Sequence, residues 1–103
     1  MAFSLSIAQE AHDDTDAIVG YMVSELKNPV AASGFLDDVS NGYKTIKANP
    51  YLYSVCSDAW LAAMGVRKVV IKNYLILYRV DENRQTVFVL RIVYGGRNYV
   101  DMI

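Results

Sequence analysis

The chain has 103 residues, 53% of them hydrophobic, with ten basic and eleven acidic side chains and a net charge of −1. The length fits one domain over residues 1–103 with a small core. The balanced charge excludes the strong basic bias of a protein held on nucleic acid mainly through phosphate contacts. A lone cysteine, Cys56, excludes an intramolecular disulfide and reads as a small buried hydrophobe in a reducing compartment.

Met1-Ala2-Phe3-Ser4 lacks the basic and apolar regions of a signal peptide, and no apolar run reaches the ~20 residues of a membrane span. The expectation is a soluble cytoplasmic protein. A positive mean hydropathy of 0.16 goes with apolar surface that a partner covers.

Phe3 to Ala8 alternates apolar and small residues and predicts a half-buried strand. A helix is predicted over Gln9 to Leu26, with Ile18, Tyr21, Met22 and Leu26 on its apolar face. Asp13, Asp14 and Asp16 lie in its early turns, where the helix dipole favours negative charge, and read as a solvated start rather than a calcium loop. The only histidine, His12, sits there too and reads as a solvated or capping residue.

Asn28-Pro29 opens a second helix, with asparagine as N-cap and proline at the first helical position. Ala32, Phe35, Leu36, Val39, Tyr43 and Ile46 form its apolar stripe, and Asn49-Pro50 ends it. The short connection predicts an antiparallel helical hairpin. Tyr51 to Met64 carries aromatic residues, a capping candidate in Asp58, and Gly65 at its close, but no clear periodicity.

Three strands follow, with reversals near Asn73 and at Asp81-Glu82-Asn83-Arg84. Tyr74, Ile76, Tyr78 and Val80 share one face of the middle strand, opposite Leu75, Leu77 and Arg79. In the last strand Phe88, Leu90, Ile92 and Tyr94 oppose Val87, Val89, Arg91 and Val93. The order strand, helix, helix, three strands predicts an α+β domain with an antiparallel sheet packed against the helical hairpin.

The strings Asn28-Pro29-Val30-Ala31-Ala32, Gly65-Val66-Arg67-Lys68, Asn73 to Val80, and Leu90-Arg91-Ile92-Val93-Tyr94-Gly95-Gly96-Arg97-Asn98-Tyr99, in that order, resemble the RelE/ParE superfamily of toxins from type II toxin–antitoxin systems. The likeness covers nearly the whole chain and leans to the ParE-like side, with Arg67 matching an arginine after a glycine at the start of the second strand. Tyr94 stands where histidine is common in that group, and Asn98 where aspartate is common.

The resemblance implies a toxin neutralised by a cognate antitoxin, acting by one of two routes. ParE-like members poison DNA gyrase; RelE-like members cut mRNA in the ribosomal A site. The first route implies target contacts from Arg67, Arg91, Tyr94, Arg97 and Tyr99. The second needs a base for the ribose 2′-hydroxyl, cations for the phosphorane and an acid for the leaving oxygen. Arg67, Lys68, Arg91 and Tyr94 are its candidates, with Tyr99 as another acid or base. RelE-like nucleases place basic residues where this chain has Tyr74-Leu75-Ile76, which favours the first route. An inactive relative retained for complex formation is a third reading. Arg79 and Arg84 read as solvated turn flanks, and Arg91 reads equally as the partner of a helix carboxylate. No cofactor motif or metal-ligand spacing is present in the sequence.

Overall fold

The computed structural model describes residues 2–103. Strand β1 (Ser4–Ile7) leads into α1 (Gln9–Ser24) and α2 (Pro29–Ala48), then a short helix α3 (Ala59–Ala63). Strands β2 (Arg67–Ile71), β3 (Tyr74–Asp81) and β4 (Thr86–Tyr94) follow, and a 3₁₀ turn (Val100–Met102) lies near the C-terminus. The sheet order is β1-β4-β3-β2.

The predicted antiparallel order holds for β2, β3 and β4. Strand β1 joins the outer edge of β4 in parallel, with Ser4 opposite Thr86. The helical hairpin carries the chain back across the sheet face and makes that crossover possible. Because β1 spans only the first half of β4, the second half keeps a free edge.

Local chemistry accounts for the element ends. The Asn28 side chain accepts from the Ala31 N–H at 3.0 Å, and Pro29 needs no partner for a missing N–H. The Asp58 carboxylate caps Leu61 at 3.0 Å in the same way. Gly65 adopts a φ of 75° between α3 and β2, a region that costs a residue with a Cβ.

The face of the sheet under α1 and α2 holds the larger core. Phe35, Val39 and Ile46 of α2 and Met22 of α1 meet Ile76, Tyr78, Val89 and Ile92. The opposite face is covered as well, by Cys56, Leu61 and Val66 beside Leu75, Leu77 and Val93, with Tyr99, Val100, Met102 and Ile103 of the tail packed on them. Fully burying one such aliphatic side chain contributes roughly 1.5–3 kcal/mol.

Three expectations are corrected. Leu36, placed in the α2 stripe, is exposed, as are Tyr21 of α1 and Leu26, which lies beyond the end of α1 at Ser24; the stripes that reach the sheet are narrower than their apolar composition. The alternation in β4 changes phase, so that Val87, Val89 and Ile92 share the helix-side core. A β-bulge is the cause: Tyr78 pairs with Val89 while Leu77 pairs with Arg91, leaving Leu90 as the extra residue. Finally, Asp14 does not belong to a solvated helix start; its carboxylate is engaged by β4.

Candidate functional site

Pairing across the sheet decides which candidate side chains are neighbours. Arg67 stands opposite Tyr78, which stands opposite Val89; Lys68, Leu77 and Arg91 form the next row. Ile71, Tyr74 and Tyr94 form the last. Arg67 and Lys68 therefore lie on β2, at the sheet edge, with Lys68 two strand spacings or about 10 Å across the sheet from Arg91 and with Tyr94 several residues further along β4.

Arg67 is turned back onto its own chain. Its Nη1 donates to the Tyr53 carbonyl oxygen, and its guanidinium lies 5.2 Å over the ring of Tyr51. The Tyr51 hydroxyl in turn bonds the Glu82 carboxylate. The cation thus ties the irregular segment after α2 to the start of β2. Its side chain is half-buried.

Lys68 faces the second core, where its charge acts on Cys56. Burial outweighs that charge and pushes the Cys56 thiol above its ordinary value. Tyr99 of the tail packs against the cluster that holds this thiol. Burial, with added effects of Cys56 and Asp58, raises the Tyr99 phenol too, which makes it a poorer base.

Arg91 is bound in a fork. Its Nε donates to Asp14 Oδ2 and its Nη2 to Asp14 Oδ1, each at 2.8 Å. Nη1 donates to the Met102 carbonyl oxygen at 3.2 Å. Asp14 Oδ2 also accepts from the Ile92 N–H at 3.0 Å, on the half of β4 that β1 leaves unpaired. The hydrogen bond to Asp14, opposed by partial burial and aided by nearby carboxylates, raises the Arg91 pKa, so the guanidinium stays charged. The helix-carboxylate reading of Arg91 holds.

Arg97 is different. It is exposed, and among the described residues it makes no ion pair. Its N–H donates to the Tyr94 carbonyl at 3.0 Å and closes the turn through Gly95 and Gly96. The Tyr94 ring folds over Gly96: a Cβ there would stand 2.7 Å from Tyr94 Cε2. On its other side Tyr94 meets Tyr74 edge-on at 5.9 Å, and Tyr74 meets Phe35 at 5.1 Å.

These groups surround a groove of about 240 Å³ between α1, the end of β4 and the tail, lined by Asp14, Ile18, Tyr74, Arg91, Tyr94, Arg97 and Met102. The structure brings Arg91, Tyr94 and Arg97 together there, and leaves Arg67, Lys68 and Tyr99 elsewhere. A larger groove of about 330 Å³ runs between α2 and the β2 edge, where Lys72 pairs with Asp38 at 3.4 Å; it holds none of the candidate residues. Asp14 was missed as a site residue, although an arginine on a strand face already called for a carboxylate partner.

One open cation beside an exposed tyrosine suits recognition of an anionic or polar surface. General acid–base cleavage asks for more, namely a base, an acid and free cations converging on one phosphate. Arg79 and Arg84 lie outside this groove: the first stacks on Phe88 at 5.0 Å, and the second lies 3.8 Å from Asp81 in solvent.

Comparison with known proteins places this geometry in context. Residues 5–99 match the sequence model of the family described as "ParE toxin of type II toxin-antitoxin system, parDE". No curated protein matches the chain. A solved structure of the chromosomal ParDE toxin–antitoxin system from P. aeruginosa is similar with a TM-score of 0.72 and 22% identity, over 90% of this chain and 96% of that chain. The RelBE2 toxin–antitoxin complex of Mycobacterium tuberculosis is similar with a TM-score of 0.63 and 16% identity, over 94% and 95% of the respective chains. The isolated E. coli RelE toxin gives a TM-score of 0.63 and 12% identity, over 98% and 93%. At such identities the structural likeness carries the fold and not the target.

Proposed function

The chain belongs to the ParE toxin family of type II toxin–antitoxin systems, and on that footing we propose that it arrests growth by binding a large target, DNA gyrase, without bond-making chemistry of its own. The observation that carries this reading is the state of the cations. Arg91 is neutralised by Asp14, and Arg67 is spent on the Tyr51–Tyr53 segment two strands away. Of the two arginines that line the groove, Arg97 is the exposed one and makes no ion pair among the described residues, and Tyr94 beside it is exposed as well. That set supports docking and leaves a ribonuclease without converging charges for the phosphorane.

A cognate antitoxin neutralises the toxin in this reading. Tyr21, Val23, Leu26, Val30 and Leu36 are exposed along the helical hairpin. They form apolar surface of the kind an amphipathic helix covers.

Expression of the chain alone in bacteria tests the proposal. Growth arrest with induction of the DNA-damage response is expected, and the purified chain should inhibit supercoiling by gyrase. Cleavage of translated mRNA with gyrase unimpaired would replace this reading with a RelE-like nuclease. Normal growth at high expression would remove both.

A further inference from the structure

Among the described residues Asp14 is the carboxylate that most side-chain and backbone donors engage outside any turn. Its side chain is 14% exposed, it lies on α1, and three donors converge on it: Arg91 Nε, Arg91 Nη2 and the Ile92 N–H. Arg91 passes the connection on, because Nη1 reaches the Met102 carbonyl. One carboxylate thereby links three pieces of chain: the first helix, the last strand beyond its bulge, and the C-terminal tail. The tail between Arg91 and Met102 carries the Gly95-Gly96 turn and Arg97.

We propose that Asp14 is a positioning residue: through Arg91 it holds the C-terminal segment against α1 so that Arg97 stands beside Tyr94 at the groove mouth. This deepens the target-binding reading and rests on it for its functional half. Two observations make the linkage specific. The planar guanidinium reaches both Asp14 oxygens while keeping a third donor for Met102, which a lysine ammonium at that place cannot do with the same geometry. Asp14 also satisfies the Ile92 N–H that β1 leaves unpaired, so the carboxylate is held independently of Arg91. Apart from this linkage, the segment around Arg97 is held by its own 3.0 Å bond to the Tyr94 carbonyl, by the Gly95 N–H on the Asn73 carbonyl at 2.7 Å, and by packing of Tyr99, Val100, Met102 and Ile103 on the second core.

Hydrogen exchange on the full chain tests the strut without reference to any target. Asp14→Asn keeps the shape and one acceptor; Arg91→Lys keeps the charge and loses the fork. In both variants amides of residues 97–103 should exchange about tenfold faster or more, with the β3 segment unchanged. Unchanged protection of the tail, or an equal loss over β3, would overturn the proposal. The second arm is a cycle read as the concentration giving half-inhibition of gyrase supercoiling. Asp14→Asn and Arg97→Ala should each raise it about tenfold, and the double variant should be no worse than the weaker single. Multiplying effects would overturn the assignment of Asp14 to Arg97. If the parent chain leaves gyrase untouched, the target reading fails, and the exchange data still decide whether the strut exists.

Discussion

Asp14 and Arg91 are 77 residues apart in sequence and meet through two parallel hydrogen bonds of 2.8 Å. The pair converts what the composition offers as a free arginine into a structural one. The proposed docking function rests on this pair, since a compensated guanidinium gives up its carboxylate if it is to hold an accumulating phosphorane charge. Arg97 inherits the role of outward cation because it follows a turn of two glycines that carries the chain off the sheet.

Arg97→Ala is expected to weaken growth arrest strongly while leaving the fold intact. An exposed arginine at the centre of a contact is worth about 1.4 kcal/mol or more on truncation, or tenfold in affinity. Titration of inducer against growth, with thermal melting as control, measures both. Arg67→Ala should show the converse, a melting point lower by several degrees for about 1 kcal/mol lost with the Tyr53 carbonyl bond, and a smaller effect on arrest.

Gly96→Ala probes the aromatic lip. The new Cβ would lie 2.7 Å from Tyr94 Cε2, so the ring must swing away from the turn and off its edge contact with Tyr74. Because Tyr94 is exposed, the stability change should stay below about 1 kcal/mol. Growth arrest should fall all the same. An arrest titration equal to the parent would show that the ring's position does not matter.

Two helix glycines should respond in opposite directions. Gly42 faces the sheet, where a Cβ would stand 2.9 Å from Ile76 Cδ1 in a fully buried site. Overpacking of about 1–3 kcal/mol outweighs the helix-propensity gain of about 1 kcal/mol, so Gly42→Ala should destabilise. A Cβ on Gly34 meets only Lys72 Nζ, at an ordinary 3.5 Å. Gly34→Ala should then stabilise by about 0.5–1 kcal/mol. Urea unfolding of the two variants checks the signs.

Stability should fall in alkaline solution. Burial pushes the Tyr78 phenol up to about 12, against a smaller opposing effect of Arg67, and burial likewise pushes Tyr43 up to about 12. The folded state holds both protons more tightly than the unfolded chain does, whose tyrosines ionise near 10. Their contribution is complete below about pH 10 and is lost as pH rises from there towards 12. Tyr78→Phe should flatten that decline. At neutral pH it should cost about 1–2 kcal/mol, because the Tyr78 hydroxyl donates to the buried Pro50 carbonyl at 2.8 Å. Urea midpoints at about pH 8 and about pH 11 give both numbers.

Much of this protein is legible without coordinates. The Asn28-Pro29 helix start, the Asp58 cap, the hairpin of helices and the three C-terminal strands follow from capping chemistry and from periods of 3.6 and two, which neighbouring residues set among themselves. The superfamily likeness was readable for the same reason, since its strings lie within these elements. The tertiary structure decided what depends on register and on the path of the chain. The extra residue Leu90 turns the β4 pattern over, a single-residue event that alternation alone does not reveal. Asp14 looked like one of three solvated acids until the parallel β1 stopped short of Ile92 and left an edge for it to fill. Which arginine faces outward was settled by partners far away in sequence, because a charge on a packed sheet takes the nearest acceptor in space, and sequence spacing carries no record of that distance.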